Sequence, residues 1–230
     1  MSIFVIGDLH LSGNPPKKPM EIFGQHWKNH WNKIKENWIK SVNKNDTVII
    51  CGDISWAIDL KEALEDLNEI AQLPGKKVLL RGNHDYWWVT LKKMREETKE
   101  SFEFLQNNFI QINNTAICGT RGWKLPSDEY FTIKDEKIYL REELRFENSL
   151  KSAKDKGFDD IIAVLHYPPL TENNLNTKFT HLCEKYKVKI CVYGHVHGED
   201  ITNAFNGLHN NINYKLTSCD GLNFELFKIQ

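Results

Sequence analysis

Five apolar runs in this chain end in short polar clusters made of residue types that bind metal ions. Ile3-Phe4-Val5-Ile6 leads into Gly7-Asp8-Leu9-His10, and Val48-Ile49-Ile50-Cys51 into Gly52-Asp53. Val78-Leu79-Leu80 precedes Gly82-Asn83-His84-Asp85, and Ile161-Ile162-Ala163-Val164-Leu165 precedes His166. Ile190-Cys191-Val192-Tyr193 meets Gly194-His195-Val196-His197-Gly198. β-Branched apolar runs of this length, stopped by glycine or polar residues, predict buried strands. Open α/β sheets gather ligands outside the carboxyl ends of their strands, which is where these clusters fall. The pattern predicts an α/β fold organised around a metal centre.

The segments between the runs predict helices. Phe23, Trp27, Trp31, Ile34, Trp38 and Val42 recur at three- and four-residue steps, giving one apolar face of a long helix whose solvated polar face carries His26 and His30. Gly13 to Pro19, with three prolines and two lysines, predicts a loop bordering the site. Leu60, Ala63, Leu64, Leu67, Ile70 and Ala71 mark a second helix closed by Pro74-Gly75. A third follows Trp87, with Trp88, Leu91 and Met94 inward, and two more centre on Leu140, Leu144 and Leu150 and on Phe179, Leu182 and Tyr186. Alternating strands and helices over the first 80 or so residues predict βαβ units and a parallel sheet. Two hairpins are expected, one turning at Asn113-Asn114, the other joining Tyr214–Cys219 to Phe224–Ile229 at Asp220-Gly221. With no repeat and no linker, residues 1–230 are read as one domain.

Composition narrows the function. A net charge of -1 gives no global basic footprint, so nucleic acid is not indicated as a partner, although Lys17, Lys18 and Lys124 could line a local groove. No apolar stretch approaches the roughly 20 residues that span a bilayer, so no membrane association is expected. The N-terminal apolar residues run straight into Asp8 and His10 and are read as a strand, not as a signal peptide. Cys51, Cys118, Cys183, Cys191 and Cys219 lack zinc-knuckle spacing and are read as reduced core thiols of a cytoplasmic protein.

In the clusters, Asp8 and His10, like His195 and His197, stand two residues apart, so on extended backbone each pair points to one side. Asp53 offers a carboxylate able to bridge two cations, Asn83 an amide oxygen, and His166 another imidazole. This donor set suits divalent first-row metals such as manganese, iron, cobalt, nickel or zinc, and without a thiol it does not suit a structural zinc site. Gly7, Gly52, Gly82, Gly194 and Gly198 stand beside the ligands, where sharp turns or close backbone approach to an anion need the missing Cβ.

The succession D-x-H, G-D, G-N-H-D, a lone histidine after a strand, and G-H-x-H spans residues 8 to 197 and resembles the calcineurin-like metallophosphoesterase superfamily. That resemblance implies an α/β fold, a four-layer α-β-β-α sandwich of two mixed sheets. It also implies a dinuclear site holding two divalent transition-metal ions, manganese or iron foremost, with zinc, nickel or cobalt as alternatives. Asp8, His10 and His197 would hold one ion, Asn83, His166 and His195 the other, and Asp53 would bridge them. His84 matches the catalytic histidine and Asp85 the acid that orients it. The superfamily's protein serine/threonine phosphatases carry an arginine soon after the bridging aspartate. This chain instead reads Gly52-Asp53-Ile54-Ser55-Trp56, a departure from that branch, whereas Arg81 before Gly82 agrees with it.

The implied activity is hydrolysis of a small phosphoester by a hydroxide generated at the metals, with His84 as general acid. With Arg81 and Arg121 the candidate cations for clamping a monoester dianion and few others assured, phosphodiesters, cyclic nucleotides or aryl diesters among them, are favoured over monoesters. A phosphomonoesterase, a nuclease and an inactive binding scaffold of the same fold are the alternatives. Tyr86, Trp87, Trp56, Trp123 and Tyr167 are aromatic groups near the motifs that could stack on a base or sugar.

Overall fold

A computed structural model describes residues 1–229 and divides the chain into two compact units. The first comprises Met1–Phe104 together with the chain from Thr217 onward, and the second runs from Leu105 to Leu216.

In the first unit, β1 (Ile3–Ile6), β2 (Thr47–Ile50) and β3 (Lys76–Leu80) lie side by side and parallel, connected through α1 (His30–Ser41) and α2 (Leu60–Gln72). After α3 (Leu91–Glu97), β4 (Glu103–Leu105) and the C-terminal β11 (Phe227–Lys228) complete a five-stranded sheet in the order β11-β1-β2-β3-β4. Every residue of β1, β2 and β3 except Lys76 is buried, as expected of continuous apolar strands. Alternate residues Phe4, Ile6, Val48, Ile50 and Leu79 form one core with Ile34 and Trp38 of α1 and Ala63, Leu67 and Ile70 of α2. Each large apolar side chain among them contributes about 1.5–3 kcal/mol through removal from water. The start of α2 is set by Asp59, whose carboxylate accepts the Glu62 amide at 2.9 Å.

The long aromatic helix is corrected. Helical backbone begins only at His30, preceded by 3-10 turns at Met20–Phe23 and Gln25–Trp27. Gly24 (φ 134) and Asn29 (φ 55) break the pattern, because positive φ cannot continue a right-handed helix. Trp27, Ile34, Trp38 and Val42 are nevertheless buried, whereas Phe23 is exposed. His30 is also buried, contrary to its placement on a solvated face.

In the second unit, β6 (Thr115–Thr120), β7 (Asp160–Leu165), β8 (Ile190–Tyr193) and β10 (Ile212–Leu216) are parallel neighbours. β5 (Phe109–Ile112) and β9 (Gly207–His209) add antiparallel edges, giving the order β5-β6-β7-β8-β10-β9. α4 (Ile133–Asp155) and α5 (Lys178–Lys185) supply Phe146, Leu150, Ala153, Phe179 and Leu182 to a core shared with Cys118, Ala163, Cys191 and Tyr214. A capping box opens α4: Thr132 Oγ1 accepts the Asp135 amide and Asp135 accepts the Thr132 amide. Leu140 and Leu144 turn outward, so the inner face of α4 is carried by Tyr139, Glu142, Phe146, Ser149 and Leu150.

The hairpin at Asn113-Asn114 forms between β5 and β6. The expected C-terminal hairpin does not. β10 pairs antiparallel with β9 across Asn210 (φ 47) and Asn211 (φ 62), while β11 pairs with β1 in the first unit's sheet. Two consecutive left-handed asparagines suit a two-residue type I′ turn. Around Asp220-Gly221 the chain instead coils on itself, the amides of Leu222 and Phe224 donating back to Cys219. Two mixed sheets with their helices are the fold class expected from the sequence.

Candidate metal centre

In the first unit the candidate ligands leave parallel strands at their carboxyl ends: Asp8 after β1, Asp53 after β2 and Asn83 after β3. The backbone there is not extended. Asp8, His10 and Asp53 have φ of 62°, 48° and 49°, a left-handed conformation that costs a non-glycine residue about 1–3 kcal/mol. Pairing between the two loops offsets that cost: the amide of Asp8 donates to Gly52 O, that of His10 to Asp53 O and that of Leu11 to Ile54 O, at 2.9–3.0 Å. The expectation that i, i+2 spacing aligns ligands along an extended strand is therefore corrected. Left-handed turns bring the ligand atoms of Asp8 and His10 within 4.8 Å.

Asp8 and Asp53 are 0% and 2% exposed. Asp53 Oδ1 accepts the His84 amide at 2.8 Å, and Oδ2 lies 3.9 Å from His10 Nε2. That separation is too long for a hydrogen bond. Two ligands each about 2.1 Å from a common ion stand no more than about 4.2 Å apart, so it fits a shared cation. Two buried carboxylates on these paired loops favour a cation between them, and a divalent ion held by Asp8, His10 and Asp53 would fit that need. Glycine at position 82 makes room for this carboxylate, because a Cβ there would collide with Asp53 Oδ1 and with the Asp53 amide nitrogen. The close approach expected of this glycine is to the protein's own ligand.

Asp85 makes its hydrogen bonds to groups other than the His84 side chain. Its carboxylate accepts the amides of Ile54, Ser55 and Gly82 and the indole N–H of Trp87, at 2.7–3.2 Å, and none of these donors is His84. It joins the β2 and β3 loops. Burial, followed by the nearby charge of Asp53, raises its pKa to about 6. His84 is instead flanked by Trp56, 4.4 Å between ring centroids, and Trp56 stacks on His10 at 4.8 Å and 22°. Among the aromatic candidates Trp56 thus orients the histidines, Trp87 is a buried partner of Asp85, and Tyr86 is exposed.

His30 is a supporting residue that spacing does not reveal. Its Nε2–H donates to the carbonyl of Leu9, between Asp8 and His10, at 2.9 Å, and burial pushes its pKa down toward the neutral ring. The only sequence signal is a histidine three residues after an aromatic core position, Trp27, which reads equally well as solvated.

The second unit supplies imidazoles. His166 follows β7 and is buried; the amides of His166 and Tyr167 both donate to the carbonyl of Arg121, at 3.1 and 2.9 Å. His195 (φ 74) follows β8, and the amide of Gly194 donates to His166 O at 3.1 Å, tying the two loops together. The rings of His166 and His195 are 5.0 Å apart and edge-on, with ligand atoms within 4.8 Å. Tyr167 covers His195 at 4.0 Å. His197, half-buried, precedes the 3-10 turn Gly198–Asn203. Arg121 stacks on Trp123 at 4.4 Å and lies 3.9 Å from the buried carboxylate of Glu142. Of the lysines considered for a groove, Lys17 pairs with Glu62 and Lys18 donates to the carbonyl of Trp56.

All five cysteines are buried and outside any disulfide, and burial pushes the thiol of Cys118 up to about 12 and raises those of Cys51 and Cys219. No helix among the described residues is long and apolar enough to cross a membrane.

Strand-end carboxylates and imidazoles on parallel sheets define a metal-binding α/β protein. The chain belongs to the calcineurin-like phosphoesterase family, whose sequence model matches residues 1–199. No curated protein matches it. In structure it is similar to a protein of unknown function from Aquifex aeolicus, with 17% identity and a TM-score of 0.51 over 99% of this chain and 95% of that one. It is also similar to a protein of Thermus thermophilus, with 10% identity and a TM-score of 0.58 over 98% of this chain and 96% of that one. At such identities the likeness speaks for the fold alone.

Proposed function

We propose that this protein is a metal-dependent phosphoester hydrolase that prefers phosphodiesters, acting through two divalent ions held by Asp8, His10, Asp53, Asn83, His166, His195 and His197. The observation that carries the reading is the Asp53 carboxylate, buried, with one oxygen on the His84 amide and the other 3.9 Å from the His10 imidazole. When bound, such ions activate water and neutralise phosphoryl charge. Water loses a proton to solvent and adds to phosphorus, the P–O ester bond breaks, and His84 donates a proton to the departing oxygen, an effect typically worth about 10²–10⁴-fold. His84 is later reprotonated from solvent. Trp56 holds the His84 ring, and the His84 amide is held by Asp53. Asp85 acts as a positioning residue through Gly82, Ile54 and Ser55.

The diester preference is supported by Arg121, whose guanidinium stacks on the Trp123 ring 4.4 Å away, an orientation that competes with clamping a dianion. Five buried free thiols support a reducing, cytoplasmic setting. The test is elemental analysis of protein reconstituted with manganese, followed by kcat/KM for bis-p-nitrophenyl phosphate against p-nitrophenyl phosphate. Up to two ions per chain and faster diester turnover are expected. Faster monoester turnover overturns the preference, and metal binding without turnover of either ester identifies an inactive scaffold. His84→Ala should retain the metals and lower kcat, least for substrates with a good leaving group such as p-nitrophenolate.

A further inference from the structure

A cavity of about 400 Å³ opens beside His195 within the second unit, lined among others by Trp123, Lys124, Ser127, Tyr167 and Asn173. Its size is that of a small-molecule site and exceeds what a methyl or ethyl ester needs. Resting on the hydrolytic reading above, we propose that this cavity receives the organic group of the ester, that the group is a nucleoside, and that Trp123 is the residue that selects it.

Aromatic character, polarity and charge support the assignment. Tyr167 bridges the cavity to His195: its ring lies 4.0 Å from that imidazole and 5.0 Å from the Trp123 ring. Trp123 is fixed before any ligand arrives. Its indole N–H donates to Asp135 at 2.9 Å and the Arg121 guanidinium lies 4.4 Å from its ring centroid. A pre-oriented aromatic wall loses little entropy on binding a flat partner, and stacking of a base on such a ring is sequence-tolerant. Ser127 and Asn173 provide hydroxyl and amide groups that both donate and accept, suited to base edges and ribose hydroxyls. Lys124 and Asp128 balance each other in charge, so the lining favours an uncharged organic group over a second phosphate. A lipid chain would leave these polar groups unpaired.

The experiment compares adenosine 5′-monophosphate with ribose 5-phosphate, which share the phosphate and differ by the base. Binding to manganese-loaded protein is measured by calorimetry. The nucleotide should bind roughly tenfold or more tighter. Trp123→Ala should abolish that preference with metal content unchanged by elemental analysis, and Trp123→Phe should retain most of it. Equal affinity of the two ligands for the wild type, or an undiminished preference in Trp123→Ala, overturns the proposal. Hydrolysis of bis-p-nitrophenyl phosphate by the same preparations separates the two readings. Turnover without base preference removes the nucleoside subsite alone, and base preference without turnover removes the hydrolase alone.

Discussion

The two units solve the same problem with different materials. The first holds its candidate ligands as buried carboxylates and an imidazole on left-handed turns, tied by backbone pairing between the β1 and β2 loops and by Asp85 between the β2 and β3 loops. The second offers imidazoles at the ends of β7 and β8, placed by the Arg121 carbonyl and covered by Tyr167, next to an aromatic cavity. Carboxylates attract cations at long range but are costly to bury, so they need a stiff frame. Neutral imidazoles are less costly to bury and tolerate packing by rings. On the proposed function, cation retention would fall mainly to the first unit and selectivity for the ester mainly to the second.

The largest test of that contrast exchanges one ligand in each unit. Asp53→Asn should weaken manganese binding by more than the roughly 10–100-fold typical of supporting residues and abolish hydrolysis. His195→Gln should fall within that range, and equal losses by elemental analysis would break the contrast.

Next come two buried carboxylates that are not candidate ligands, one in each unit. Asp85→Ala strands three amides and an indole that cannot reach water, so urea unfolding of metal-free protein should lose on the order of 3 kcal/mol or more. Glu142→Ala strands the single buried Thr120 hydroxyl beside Arg121, while Arg141 and Arg145, 50% and 33% exposed, can reach water, so this substitution should cost less. A double-mutant cycle sharpens the role of Asp85. Additive effects of His84→Ala and Asp85→Ala on kcat/KM are expected, because the two side chains share no hydrogen bond.

A smaller pair contrasts glycines. Gly82→Ala drives a Cβ into Asp53 and should cost about 3 kcal/mol. A Cβ at Gly198 (φ 60) meets nothing within 4 Å, leaving only the backbone term of about 1 kcal/mol. Thiol chemistry should show no contrast at all. Cys51 in the first unit and Cys118 in the second are buried with raised pKa values, so neither should react with an aromatic disulfide reagent until the protein unfolds, when all five thiols should.

Strand positions are legible in the chain because burial on both sides leaves an uninterrupted apolar run, and a run of that kind depends on neighbours in sequence. Ile3–Ile6, Ile161–Leu165 and Ile190–Tyr193 carry that signal locally, and the residues that end them can be named as candidate ligands by type alone. What spacing does not reveal is how those residues turn. Asp8, His10 and Asp53 occupy left-handed backbone only because segments more than 40 residues apart exchange amide hydrogen bonds. Shorter separations hide the contact of His30 with Leu9, 21 residues away, and the bonds of Asp85 to the amides of Ile54 and Ser55, and the parting of β10 from β11 into different sheets is equally invisible. A hydrophobic period reports what a residue must avoid, namely water. Which polar group it meets is decided by chain segments that come together only on folding, and that is why the candidate ligands can be read from the sequence while their supports cannot.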